Sequence, residues 1–154
     1  MNRRGVTTIE LVIAVILIGI IAAMGFPKIR TALDKTNVRS ARVSIGTFVS
    51  TARAAAVQRG CKAVVHFAGG VTSRAWVTAC PRLQPGVGTV DTVAMIDNVA
   101  TNFKVTMTFT RDSVQYDPRG LSMDNTTITV VRFTGGVASN TDSVLINQTG
   151  KVVR

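Results

Sequence analysis

The chain has 154 residues, room for one domain, and an apolar N-terminal stretch still leaves a part large enough to bury a core of its own. Its 18 Lys and Arg against 8 Asp and Glu give a formal net charge of +10, which favours contact with polyanions such as DNA or anionic lipid but speaks to non-specific association rather than fold. A single histidine, His66, excludes a zinc site or catalytic pair built on two histidines, and Cys61 and Cys80 are the only cysteines.

The chain opens MNRRGVTTIELVIAV. Leu11 to Phe26 is 16 residues without a charge, which as a helix spans ~24 Å; counted from Val6 to Pro27 it reaches a ~30 Å hydrocarbon core. Arg3 and Arg4 precede this run and place the N-terminus in the cytoplasm, sending the body outward into a compartment where a disulfide persists. A conventional signal peptide cut near Ala23-Met24-Gly25, or a twin-arginine signal at Arg3-Arg4, accounts for the apolar run but leaves the carboxylate of Glu10 at its head unexplained.

After Pro27 the apolar residues Ile29, Leu33, Ala41, Ile45, Phe48, Ala52 and Ala55 recur at mostly three- and four-residue spacing, an amphipathic helix that continues to about Gln58 and stops at Gly60. With the membrane segment it predicts one long helix, Val6 to Gln58, bent at Pro27. Beyond Gly60 the pattern changes to short β-type runs: CKAVVHF, RAWVTAC, FKVTMTFT, SVQYD, TITVVRF, SVLIN and KVV. They predict an antiparallel sheet packed on the helix, an α+β fold, with Pro81 to Asn102 a long connection carrying a strand around Val93 to Ile96.

The run CKAVVHFAGGVTSRAWVTAC folds as a hairpin about Gly70 and Val71, placing Cys61 opposite Cys80, Ala63 opposite Thr78 and Val65 opposite Trp76. A Cys61–Cys80 disulfide closing the 18-residue loop between them would stabilise the head by ~3 kcal/mol on the chain-entropy model. His66 reads as a surface or hydrogen-bonded strand residue. The aspartates Asp91, Asp97, Asp112, Asp117, Asp124 and Asp142 fall in or beside turns, where Asp is favoured for local hydrogen bonding, and do not indicate a carboxylate pair. Nucleotide-binding, metalloprotease and serine-hydrolase motifs are absent, so no catalytic residue, cofactor or metal is expected and the chain is not expected to be an enzyme. Lys28, Arg30, Lys35, Arg39, Arg42, Arg53 and Arg59 read as a solvated helix face, with Lys28 and Arg30 near lipid headgroups. A second basic set, Arg119, Arg132, Lys151 and Arg154, sits on strand ends or turns where phosphate contacts are made, with Tyr116 and Phe133 as the nearby aromatic rings.

The stretch RRGVTTIELVIAVILIGIIAAMGFP resembles the class III leader and N-terminal helix of type IV pilins and type II secretion pseudopilins. The resemblance implies that a prepilin peptidase cuts after Gly5 and methylates Val6, and that Glu10 is the glutamate at mature position five, expected to pair with the α-amino group of an adjacent subunit. Gly19 and Pro27 fall where family members carry a glycine and a helix-bending proline; Val6 departs from the usual Phe or Met. The rest looks like the GspH/FimT branch, through the early hairpin, YDPRG and the terminal INQTGKVVR. Some members of that branch bind DNA through a GRxR-type motif. The corresponding residues here are Gly150-Lys151-Val152-Val153-Arg154, with lysine for the first arginine and one extra residue before the second.

The resemblance divides the chain into a leader (1–5), a transmembrane and assembly helix (6–27), an amphipathic helix (28–59) and a β-rich head (60–154). It implies a subunit of a type IV pilus or secretion pseudopilus, in an initiation or tip complex. The expected partners are other pilin or pseudopilin subunits, the prepilin peptidase and the bacterial inner membrane. The chain is expected to cross that membrane once, with a periplasmic head, before joining a filament in the periplasm or at the cell surface. A filament-displayed DNA receptor is the alternative.

Overall fold

A computed structural model describes residues 7–81, 90–123, 129–135, 140–147 and 149–153. The chain divides into two units, Met1–Leu33 and Asp34–Arg154. Helix α1, Thr8–Arg59, contributes to both and contains Pro27 in its interior. It opens on a capping pattern: the Glu10 N–H donates to Thr7 Oγ1 at 3.4 Å and the Leu11 N–H to the Thr7 carbonyl at 3.2 Å, so Thr7 supplies oxygens that the first turn lacks. It ends before Gly60, whose φ is +63°.

In the first unit the apolar side chains are bare, from Ile9 through Ile29 and Leu33. In the second unit α1 buries Val38, Ala41, Ile45, Val49, Ala52, Ala55 and Ala56, a three-to-four spacing that puts them on one stripe. The expected apolar face is thereby corrected at its start: Ile29 and Leu33 are 60% and 57% exposed, and the core face begins at Val38. Periodicity marks one helix face but does not say where along it a partner begins.

Among the described residues the head has eight strands: β1 Ala63–Ala68, β2 Arg74–Ala79, β3 Asp91–Asp97, β4 Val105–Phe109, β5 Ser113–Tyr116, β6 Thr129–Gly135, β7 Asn140–Ile146 and β8 Val152–Val153. A short helix, α2 Val99–Phe103, precedes β4 and ends on Lys104 in the left-handed region, so the strand that the run FKVTMTFT predicts from Phe103 starts two residues later, at Val105. The strands form two four-stranded antiparallel sheets, ordered β3-β2-β1-β5 and β4-β6-β7-β8, where the runs alone suggested one. Alternation within a strand sets its buried face but not its neighbours.

The sheets meet where the β1–β2 turn docks on β4. Gly70 and Met107 form a bridge, the buried Ser73 hydroxyl donates to the Gly70 carbonyl and accepts the Met107 N–H at 2.8 Å. A Cβ at Gly69 would lie 2.7 Å from the Met107 carbonyl oxygen, so only glycine lets the turn come this close. Val65, Phe67, Val77, Met107, Val114, Tyr116, Phe133, Val144 and Ile146 join the α1 stripe in one core.

The hairpin register differs from expectation by one residue. Ala63 faces Ala79 and Val65 faces Val77, rather than Thr78 and Trp76. Directly opposed residues on an antiparallel pair share a sheet face, and only this register sets the buried Ala63, Val65 and Phe67 across from the buried Ala75, Val77 and Ala79. The Cys61–Cys80 disulfide forms nonetheless, with Cα atoms 6.3 Å apart, because both cysteines lie just outside the paired strands.

Candidate functional site

The N-terminal unit presents a helix that is apolar all round. Its membrane-grade window is wholly unburied, and its side chains include Leu11, Ile13, Ile16, Leu17 and Ile20, each more than half exposed. By length and composition the helix is able to cross a membrane, and an exposed apolar surface of this size marks a place of contact with lipid or protein. Glu10, exposed, sits in the first turn, where the partial positive charge of the helix N-terminus favours a carboxylate. It makes no ion pair among the described residues. Thr7-Thr8-Ile9-Glu10 matches the T-x-x-E capping pattern, a local reason for a glutamate here that was legible in the sequence and missed there. Gly5 and Val6, the expected processing junction, lie outside the described residues. Gly19 has open space where a Cβ would stand. Pro27 has no N–H for the Ala23 carbonyl, while its own carbonyl accepts an added bond from Thr31 Oγ1 at 3.0 Å.

The head carries the second expected set on two turns that share one tyrosine. YDPRG is a tight turn: the Gly120 N–H donates to the Asp117 carbonyl at 2.9 Å, and Asp117 Oδ1 accepts from the N–H groups of Arg119 and Leu121 at 3.0 and 2.8 Å. This holds the Arg119 guanidinium out in solvent, 85% exposed and 3.9 Å from Asp117. Before β8 the Gly150 N–H donates to the Asn147 carbonyl at 2.8 Å and the Lys151 N–H to Asn147 Oδ1 at 2.7 Å, a second turn.

Tyr116, fully buried, joins the two turns. It precedes Asp117 in the chain, and its hydroxyl donates to the Gly150 carbonyl at 3.1 Å. Gly150 has φ +72°, and a Cβ there would lie 2.3 Å from Tyr116 Cε1. The glycine that resembles the start of a DNA-binding motif therefore has a packing reason to be glycine, one that no spacing in the sequence announced. Arg119 and Lys151 are both exposed on these turns. Arg132 belongs to β6, opposite Thr108 and Ser143, away from either turn in register, and its side chain lies outside the described residues, as does Arg154. Tyr116 and Phe133, the two rings near this basic set in the sequence, are each 0% exposed and unavailable to a base.

The helix cations also divide. Arg42 Nη1 is 2.9 Å from Asp142 Oδ2, and Arg59 Nη1 is 3.0 Å from Asp91 and donates to the Cys80 carbonyl beside the disulfide. These two are structural links from α1 to the sheets rather than solvated charges. Asp142 lies within β7 and not in a turn, and Asp91 and Asp97 are the two ends of β3. His66 is stacked on Trp76 with centroids 5.1 Å apart, and its Nε2 is 2.9 Å from Thr78 Oγ1. Burial lowers its pKa, with the charge of Asp112 opposing in part. Among the described residues no three His, Cys, Asp or Glu side chains gather where a metal would bind.

The arrangement is thus one of surfaces: a bare helix and two cation-bearing turns. Among solved structures the chain is similar to the type IV minor pilin FimU of Pseudomonas aeruginosa strain PAO1. One crystal form gives a TM-score of 0.56 at 11% identity, covering 77% of this chain and 87% of that one. A second gives 0.54 at 12%, covering 75% and 90%. Identities this low carry the fold, a long N-terminal helix with an antiparallel β head. No curated protein matches the sequence. The family model described as Type II transport protein GspH matches residues 41–150. Because that match runs over more than half of the chain, this protein belongs to the GspH family.

Proposed function

We propose that the chain is an anchored subunit that works by assembly: cut after Gly5, methylated at Val6, held by its apolar helix in the inner membrane, then incorporated into a type IV pilus or type II secretion pseudopilus at initiation or at the tip. The observation that carries this reading is the bare helix with a carboxylate in its first turn, on a head that belongs to the GspH family. Before assembly, lipid covers the helix; afterwards, neighbouring helices do.

In this reading Glu10 has two roles. Within the subunit it favours the helix start. Between subunits it pairs with the α-amino group that cleavage creates on Val6 of a neighbour, and in an apolar surround such a pair selects one register because a carboxylate left unpaired there is costly. Gly19 and Pro27 serve assembly by letting the helix loosen: the proline already removes one backbone bond, and glycine is the least costly residue to unwind. The mass of the mature protein tests the processing step. A chain beginning at N-methylated Val6 supports it; a mature N-terminus near Phe26, as a conventional signal peptide gives, overturns it.

One observation favours a second reading, a DNA receptor displayed on the filament: Arg119 and Lys151 are exposed on turns that share Tyr116, in a chain of net charge +10. A gel shift of residues 34–154 with duplex DNA over a salt series tests it. Micromolar binding that falls steeply with salt and is lost in Arg119→Ala with Lys151→Ala supports the receptor; no shift at low salt removes it.

A further inference from the structure

A cleft of about 520 Å3 lies between the head portion of α1 and the start of β7, lined by Lys35, Val38, Arg39, Arg42, Asn140 and Asp142. Lys35, Arg39 and Arg42 fall at i, i+4 and i+7 and so share a helix face. The single carboxylate among the described lining residues is already engaged. Asp142 takes Arg42 Nη1 at 2.9 and 3.2 Å on its two oxygens, and Oδ1 also accepts the Ser143 N–H at 2.8 Å. Lys35 and Arg39 are exposed and have no acidic partner among the described residues. On the opposite wall stands Asn140, whose side-chain nitrogen is buried and has no hydrogen-bond partner among the described residues. A buried amide N–H is rarely left without an acceptor in a native structure. One wall of the cleft thus holds two uncompensated cations and the other an unanswered donor.

We propose that this cleft binds the phosphate of an anionic phospholipid headgroup. A phosphate diester brings a negative charge and several acceptor oxygens at once. It answers Lys35 and Arg39 as charges and Asn140 as a donor, and Arg42, which spends only Nη1 on Asp142 among the described residues, has further N–H groups to offer. The volume leaves room for the group esterified to the phosphate. Lipid is favoured over a free anion by position in the sequence. The charge-free run ends at Pro27, Lys28 and Arg30 follow at once, and Lys35 is eight residues beyond the proline. A cation cluster just past a membrane segment is where an anionic bilayer surface attracts the chain. The proposal rests on the membrane-anchored reading above.

The test uses the full chain in a neutral detergent, titrated separately with dihexanoyl phosphatidylglycerol, dihexanoyl phosphatidylcholine, inorganic phosphate and a short DNA duplex. The side-chain amide of Asn140 and the backbone amides of 140–143 are followed by NMR. Phosphatidylglycerol is expected to shift these signals saturably and more tightly than the other three. Replacing the exposed pair, Lys35→Gln with Arg39→Gln, is expected to weaken it on the order of 25-fold. The nearly isosteric Asn140→Asp, which sets a carboxylate in the cleft, is expected to abolish it with the fold retained by circular dichroism. Signals that ignore phosphatidylglycerol, an equal response in the double variant, or binding of inorganic phosphate or DNA as tight as that of the lipid overturns the proposal. Carbonate extraction of cell membranes reads the anchor separately. A chain that stays in the pellet while the cleft ignores lipid refutes the cleft alone, whereas a chain released to the supernatant refutes the anchor, and the titration still decides the cleft.

Discussion

Replacing Gly150 by alanine puts a methyl group where the structure has no room for it. The new Cβ would lie 2.3 Å from Tyr116 Cε1 and 3.2 Å from two further ring carbons, on a residue whose φ is +72°. The left-handed backbone costs a non-glycine residue about 1–2 kcal/mol, and forcing a methyl into a packed site costs about 1–3 kcal/mol more. Tyr116 is fully buried and its hydroxyl is bonded to the Gly150 carbonyl, so the ring cannot swing away without breaking that bond. The sum is a loss of roughly 2–5 kcal/mol. For a unit running Asp34–Arg154, an unfolding entropy of ~2.1 cal/mol/K per residue makes each kcal/mol worth about 4 °C, so the midpoint falls by about 8–20 °C. Thermal unfolding of residues 34–154 by circular dichroism or calorimetry, without reductant, measures this. Tyr116→Phe keeps the ring and loses only the hydroxyl, which is expected to cost about 1–2 kcal/mol, or roughly 4–8 °C. A Gly150→Ala midpoint within ~2 °C of the parent would refute the idea that this glycine is set by packing on Tyr116.

Removing the disulfide by Cys61→Ser with Cys80→Ser is expected to cost about 3 kcal/mol, roughly 12 °C in the same unfolding assay, and reductant is expected to lower the parent by a similar amount and leave the variant unchanged. The Arg42–Asp142 pair, with side chains 17% and 30% exposed, is expected to show a coupling of about 1 kcal/mol in a double-mutant cycle through Arg42→Met and Asp142→Asn, above the least that exposed pairs give and below a buried one. His66 is held below the usual imidazole pKa by burial, so the unfolded chain takes up its proton first as pH falls. Stability is therefore full at neutral pH and is lost as pH drops below about 6.5 through the lower folded-state pKa. Denaturant titrations between pH 7.5 and 5 check this: His66→Gln is expected to flatten the fall, and an unchanged slope contradicts the assignment.

The sequence made some of this legible and left the rest silent for physical reasons. The long helix, the succession of short strands and the cysteine pair follow from periodicity and spacing, which are local. Register is a cross-strand property: a turn centred on Gly70 and Val71 is one residue off because Ala75, Val77 and Ala79 share a face with Ala63, Val65 and Phe67. The split into two sheets depends on β4 pairing with β6 rather than with its chain neighbour β5, a choice that side-chain alternation does not encode. Tyr116 and Phe133 are the only aromatic rings near the second basic set in the sequence, thin support for stacking a base, and in the fold both are core. The Tyr116–Gly150 contact joins residues 34 apart in the chain, and the Arg42–Asp142 pair joins residues 100 apart, so neither had a local signature. Glu10 is the opposite case. Its capping pattern with Thr7 was readable from four consecutive residues and was overshadowed by the resemblance to a filament glutamate.

That residue also gives the most direct test of the central claim, that this chain works as a filament subunit assembled through its N-terminal helix. Filaments sheared from cells, or pseudopili recovered from the periplasm, can be probed for the chain alongside its amount in the membrane fraction, for the parent and for Glu10→Ala. The account expects the parent in both fractions. It expects the variant to keep its membrane level, since the apolar run is untouched and the loss at the helix start is only a few tenths to about 1 kcal/mol, while its share in filaments falls at least tenfold. Equal shares of parent and variant in the filament fraction, or a parent found only in the membrane, would contradict it.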